Sequence, residues 1–364
     1  MVFDPMDLAS PHDTSVISKH HEDWMICEDQ RLLDEQRVIK PMWCWNKDGA
    51  LCHGKVYGDQ CLIARDAGDK KNFATMPDST WLPTLVEATA VPERVFYECL
   101  AIGMLFKGYM DVEYLYDSAE HADAHLVIAL KMLSCALREY FPGYLNNRIP
   151  VFGIVVATRP LPEDDPSGKL FKISYHIVLQ NLFFRSPVQL GRFVKWFVAE
   201  EELAAKRALE DVDGNGGLDG GGLDQLVRDV PPHKIFDLKP YCKFQQMRMP
   251  LSTKMKGGTQ SVLLGLCTHF DPFSHQLPEF KFSNDVEAHK NLFLTLINEP
   301  LDFIKAQTVD EDYAPPADVV PNITSITTIS KASGKQGDAG RARSQQCREV
   351  CGMQVPSPVA SFVH

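Results

Sequence analysis

Three short stretches carry residue types that could do chemistry together. The first is Asp111-Val112-Glu113, near the end of the apolar run 105–115 (LFKGYMDVEYL). Read as a strand, residues i and i+2 leave the same face, so both carboxylates project together. Adjacent carboxylates raise each other's pKa unless a cation sits between them, and hard oxygen donors suit Mg²⁺ or Mn²⁺. The second is Lys172-Ile173-Ser174-Tyr175-His176, inside the alternating run 171–180. Lys172, Ser174 and His176 share one face and make a row of donors for phosphate oxygens. A Ser-His hydrolase is disfavoured, because adjacent strand positions do not aim an imidazole at the hydroxyl and the sequence has no G-x-S-x-G elbow. The third is Asp237, leaving the apolar pair Ile235-Phe236 and followed by Lys239, Tyr241, Arg248 and Lys254. A carboxylate there could complete a metal site while the cations neutralise a triphosphate.

Taken singly, each stretch also reads as something ordinary: a strand edge meeting solvent, a solvated strand face, a structural aspartate among surface bases. Their order changes this. A carboxylate pair, a phosphate-binding strand, then a third carboxylate with cations is the inventory of a two-metal nucleotidyl-transfer site. Charge is distributed accordingly. The chain of 364 residues has net charge −11, which alone argues against a protein coated in nucleic acid. Yet residues 234–256 hold six bases (Lys234, Lys239, Lys243, Arg248, Lys254, Lys256) against one acid, Asp237. Residues 1–40 and 200–229 each hold nine acids, against four and three bases. A basic patch in an acidic chain points to a polyphosphate site.

The elements that must position these residues follow from periodicity. Residues 105–115, 151–158 and 171–180 read as strands. Residues 118–141 read as a helix with Leu126, Leu130, Leu133, Leu137 and Tyr140 on one face. Ser186-Pro187-Val188-Gln189 is a capping box that opens a helix to about residue 209. Residues 211–222 (DVDGNGGLDGGG) read as a Gly/Asp linker; strand-turn-strand follows at 234–266, and helical patterns return near 285–308. Strands and helices mix without regular βαβ alternation, so the fold class is α+β. Residues 1–55 read as a variable N-terminal extension, 56–320 as the catalytic domain, and 321–364 as a disordered tail too poor in apolar residues to fold.

Other classes are excluded or weak. No apolar run approaches the ~18–20 residues that span a bilayer, so no membrane role is expected. The acidic N-terminus lacks the apolar core of a secretory signal, and ten cysteines without a framework read as reduced thiols. Cys347, Cys351 and His364 are too few for a structural zinc site. Residues 211–219 copy the front of an EF-hand loop, but Gly222 stands where a closing glutamate is needed. Trp43, Trp45 and Trp81 could stack bases, whereas Trp196 lies among core positions of a helix.

The three stretches resemble the motifs of the archaeo-eukaryotic primases, and among them the eukaryotic and viral primase-polymerases. That family carries D-x-E on one strand, S-x-H on a later one and a third Asp on another, here Asp111/Glu113, Ser174/His176 and Asp237. Tyr97-Glu98 lies upstream at the family spacing, Lys107-Gly-Tyr-Met-Asp-Val-Glu is similar to its K-x-Y-F-D-L-E, and Lys172 stands where its lysine does. Tyr241, Arg248 and Lys254 follow Asp237 at matching offsets, so the resemblance spans roughly 56–270.

The resemblance implies an RRM-like antiparallel catalytic sheet with a second small α/β unit. It implies template-directed nucleotidyl transfer on a DNA template and primer with dNTP or NTP, in replication or damage tolerance. Asp111, Glu113 and Asp237 would hold Mg²⁺ or Mn²⁺; Lys172, Ser174, His176, Arg248, Lys254 and, by looser alignment, Lys70 would grip the nucleotide. Nucleus or mitochondrion is the implied compartment. Two departures stand out: Gln245 replaces a second arginine three residues before Arg248, and the C-terminal zinc module associated with priming is not visible. Primer extension is therefore implied more directly than priming. A metal-dependent nuclease and an inactive nucleic-acid or nucleotide binder are the rival readings. The donors Arg248, Lys254, Ser174 and His176 exceed what one phosphodiester needs.

Overall fold

The computed structural model describes residues 28–116, 119–145, 148, 150–161, 163–214, 235–254, 262–267, 283 and 285–316. Helices α1 (28–39) and α2 (Lys47–Tyr57) precede the hairpin β1 (Cys61–Ala67) and β2 (Lys70–Met76). Then come α3 (Leu82–Ala88), β3 (Phe96–Ala101), β4 (Phe106–Tyr116), α4 (Ala119–Tyr140), α5 (Pro142–Leu145), β5 (Phe152–Pro160), β6 (Phe171–Phe184) and α6 (Pro187–Gly214). The chain ends its described part with β7 (Phe244–Arg248), β8 (Val262–Cys267), α7 (Val286–His289) and α8 (Leu301–Gln307). The protein is mixed α+β, as expected, and has two antiparallel sheets. The first has strand order β2-β1-β3-β7 and the second β4-β6-β5-β8. No helix among the described residues is long and apolar enough to cross a membrane.

One face of the second sheet packs on helices. Met110, Val112, Tyr114 and Tyr116 of β4 and Ile173, Tyr175 and Ile177 of β6 are buried. They pack on Leu126, Leu130, Leu133 and Leu137 of α4 and on Leu190, Phe193, Val194 and Phe197 of α6. This is the helix face that the 3.6-residue spacing predicts, and Trp196 and Tyr140 are buried with it. The alternate residues of β4 and β6 are left for the other face.

The first sheet has its own core of Cys61, Ile63, Ala74, Met76, Phe96, Leu82, Leu85 and Val86. Residues ahead of position 56 pack against this sheet. Val38 of α1 and Ala50 of α2 are each 1% exposed, and Cys44 pairs with Phe73 through two backbone hydrogen bonds. Helix α2 lies against β2 because Gly54 faces Thr75, where an added Cβ would come within 2.8 Å. Residues 28–55 therefore belong to the folded unit. Helix α6 also runs past its expected end, to Gly214, so the segment predicted as a linker begins as helix. The rest of that segment, and the tail with Cys347, Cys351 and His364, lie outside the described residues.

Candidate active site

Register brings the first two motifs together. In the β4–β6 ladder Asp111 stands opposite His176, Glu113 opposite Ser174, and Leu115 opposite Lys172. Cross-strand partners share a face, so the carboxylate pair and the donor row lie side by side on the other face of the second sheet, where the Asp111 and His176 side chains are only 15% and 12% exposed. Ser174 Oγ donates to Asp111 Oδ1 at 3.1 Å, and Lys172 Nζ donates to Glu113 Oε2 at 2.5 Å. His176 Nε2 lies 3.8 Å from Asp111 Oδ1.

The third motif reaches the same strand by its edge. Val112 bridges to Phe236, and Asp237 N donates to Asp111 O at 2.9 Å. A tyrosine clasp holds this segment in place. Tyr109 and Tyr241 stack at 5.6 Å, Tyr109 Oη donates to Pro240 O at 2.5 Å, and Tyr241 Oη donates to Tyr109 O at 3.3 Å. Helix α6 admits the clasp through Gly191, where a Cβ would stand 2.4 Å from the Tyr241 Cβ. Asp237 Oδ1 accepts Lys239 N at 2.9 Å, an Asx turn that fixes its carboxylate.

Electrostatics mark this as a strained concentration of acid. Burial, then Glu113 and Asp237, push the Asp111 carboxyl up to about 7, against the pull of Ser174 and Arg248. Burial, then the nearby Arg248, hold His176 down at about 3, so its ring is neutral near pH 7. Oxygen donors under mutual repulsion fit a hard divalent cation. Among the described residues, however, no three His, Cys, Asp or Glu side chains are gathered into a ready-made metal cage. Glu113 is engaged by Lys172, whose ammonium already offsets part of the charge.

Further cations come from the first sheet. Arg248 on β7 stands opposite Tyr97 on β3 and hydrogen-bonds the phenol. Tyr97 Oη also donates to Asp66 at 3.0 Å, and Lys71 Nζ lies 3.2 Å from its ring centroid. Burial lowers the Lys71 pKa, and Arg248 and Lys254 lower it further, which puts the three cations in one field. Lys254 is exposed and follows a turn in which Leu251 adopts φ 60°, a left-handed conformation retained because its side chain is buried in the first-sheet core.

Strand parity separates several neighbouring residues. Lys70 is exposed at the hairpin end opposite Ala67; Lys71, on the alternate face of β2, is the lysine that joins Arg248 and Lys254. The alternation Asn72, Ala74, Met76 buried could have indicated this parity. Gln245 lies opposite Leu100 and three residues from Arg248, hence on the other face of β7, and does not thin the cation cluster. Of the tryptophans, Trp43 is sandwiched between Arg65 (4.3 Å) and Phe96 (6.0 Å), while Trp45 is 79% exposed.

An acidic, donor-lined face on one sheet meets a cationic face on the other, an arrangement that can hold a polyphosphate over carboxylates. Comparison with known protein families finds no match for this chain, and a search of curated proteins finds none.

Proposed function

We propose that the chain is a template-directed nucleotidyltransferase, a primase-polymerase that extends DNA primers with dNTPs or NTPs. The observation that supports this reading is the β4–β6 register, which lines Asp111 and Glu113 up with His176, Ser174 and Lys172, with the Asp237 backbone hydrogen-bonded to Asp111 O beside them. In this reading the sheet β4-β6-β5-β8, backed by α4 and α6, is the RRM-like catalytic sheet, and the sheet β2-β1-β3-β7 with α2 and α3 is the second unit.

Asp111, Glu113 and Asp237 would hold Mg²⁺ or Mn²⁺, which when bound lowers the pKa of a primer 3′-hydroxyl and offsets charge on the departing pyrophosphate. Ser174 orients Asp111 through its hydrogen bond. His176, neutral near pH 7, offers an N–H to a phosphate oxygen and is not charged to act as an acid. Lys172 can release Glu113 and turn to phosphate. Arg248, Lys254 and Lys71 supply the positive wall that triphosphate oxygens need.

The test is extension of a labelled primer on a longer template with dNTPs and Mg²⁺ or Mn²⁺, beside the Asp111→Ala/Glu113→Ala protein. Template-dependent extension by the wild type only is the expected result. Shortening of the primer would make the site a nuclease, and no reaction with intact DNA binding would make the protein a binder.

A further inference from the structure

Two buried ionisable side chains lie outside this chemistry. Glu98 on β3 is 2% exposed and Lys107 on β4 is 4% exposed. They belong to different sheets, yet both turn to the same segment, residues 291–295. Glu98 accepts Leu294 N at 2.8 Å, Thr295 N at 2.8 Å and Thr295 Oγ1 at 2.7 Å. Lys107 Nζ donates to Asn291 O at 2.8 Å and Phe293 O at 3.3 Å, and its backbone N–H donates to Leu294 O at 2.8 Å. Ser79 Oγ adds a bond to Thr295 O at 2.9 Å.

The segment's apolar side chains divide between the two cores. Leu292 and Leu294 enter the second-sheet core; Phe293 and Leu296 enter the first-sheet core. Apolar contacts alone are non-directional and tolerate sliding. Hydrogen bonds to charged groups do not, and a buried charge left without them is costly. The lever arms to the site are short. Glu98 is the neighbour of Tyr97, which faces Arg248, and Lys107 precedes Asp111 on the same strand by four residues.

We infer that Glu98 and Lys107 are positioning residues that stitch the first sheet to the second through segment 291–295 and thereby set the reach of Arg248 to the Asp111 face. The consequence for nucleotide binding rests on the proposed function; the geometry between the sheets does not.

The experiment therefore has two arms. Spin labels carried by encoded amino acids at Asp69 and Glu163, both exposed, report the distance between the sheets without using the exposed Cys52 and Cys242. A fluorescent dATP with Mn²⁺ reports nucleotide affinity. Glu98→Ala, Lys107→Met and the milder Thr295→Val should broaden a narrow wild-type distance distribution. Glu98→Ala should weaken nucleotide binding about tenfold, and much less when Arg248→Ala is already present, because the two act through one contact. Glu98→Gln, which keeps the shape and one acceptor, should recover most of the loss. Unchanged distances in all three variants, or strictly additive losses of affinity, would overturn the inference. Broadened distances in a protein whose wild type binds no nucleotide would sink the proposed function and leave the stitch standing. If Glu98→Ala does not fold, Thr295→Val decides.

Discussion

The two sheets contribute to the candidate site in different ways. The second sheet assembles its half locally: Asp111, Glu113, Lys172, Ser174 and His176 are fixed by one antiparallel ladder and by contacts among themselves. The first sheet assembles its half at a distance, from Lys71 on β2, Tyr97 on β3 and Arg248 on β7. That half then has to be brought to the carboxylates. The acidic half is thus specified by register, which a single-residue slip would destroy. The cationic half is specified by packing, which can loosen by degrees.

This contrast can be broken from the acidic side first. Asp111→Ala should abolish primer extension, a loss of at least about a thousandfold in rate, with DNA binding intact. Extension at wild-type rate would refute the site. Gly191→Ala should act next most strongly. Its methyl would strike Tyr241 and unseat the clasp under Asp237, costing about 2–3 kcal/mol in a denaturant titration together with activity.

On the cationic side the effects should be graded. Arg248→Ala should raise the nucleotide concentration needed by about 10–100-fold, the worth of a charge-assisted hydrogen bond, with the melting temperature little changed. Lys107 offers a test by pH. Burial holds its ammonium down to about 8 from an ordinary 10.5, so the unfolded chain binds the extra proton between those values. Its contribution to stability therefore rises as pH climbs through that window. Relative to Lys107→Met, the wild type should gain about 2 kcal/mol between pH 7 and pH 9.5, read by denaturation at each pH. A flat difference would mean that Lys107 keeps its proton in the fold as it does in the unfolded chain. The smallest effect sharpens the parity argument. Gln245→Arg should leave nucleotide affinity within about twofold, since the new cation would leave β7 away from Arg248.

Much of the acidic half was legible in the sequence, because strand alternation alone puts residues i and i+2 on one face. The β4 and β6 runs and the α4 stripe emerge where periodicity places them, and Ser186 Oγ accepts Gln189 N at 3.4 Å, but the Gln189 side chain donates to Asp310 O and does not close the capping box. Helix α1 and the start of α2 were not legible. α1 is anchored by a single buried side chain, Val38, and α2 by close contacts such as Gly54 on Thr75, neither of which makes a periodic signal. Lys71, beside Arg248 and Lys254, and its neighbour Lys70 are told apart only by sheet parity. The Tyr109–Tyr241 clasp and the roles of Glu98 and Lys107 join positions far apart in the chain, and nothing in local composition announces such partners.

That separation bears on how the protein is made. Ser79 meets Thr295 across 216 residues and Glu98 meets Leu294 across 196, whereas the β1–β2 hairpin closes on itself. Contacts of such long span form late and slow folding, since loop closure precedes their reward. During synthesis the carboxylates and donors of the second sheet can meet once β6 has emerged, long before segment 291–295 exists. A chain cut after residue 270 would carry every residue of the candidate site and still lack the hydrogen-bonded segment that ties Glu98 to Lys107.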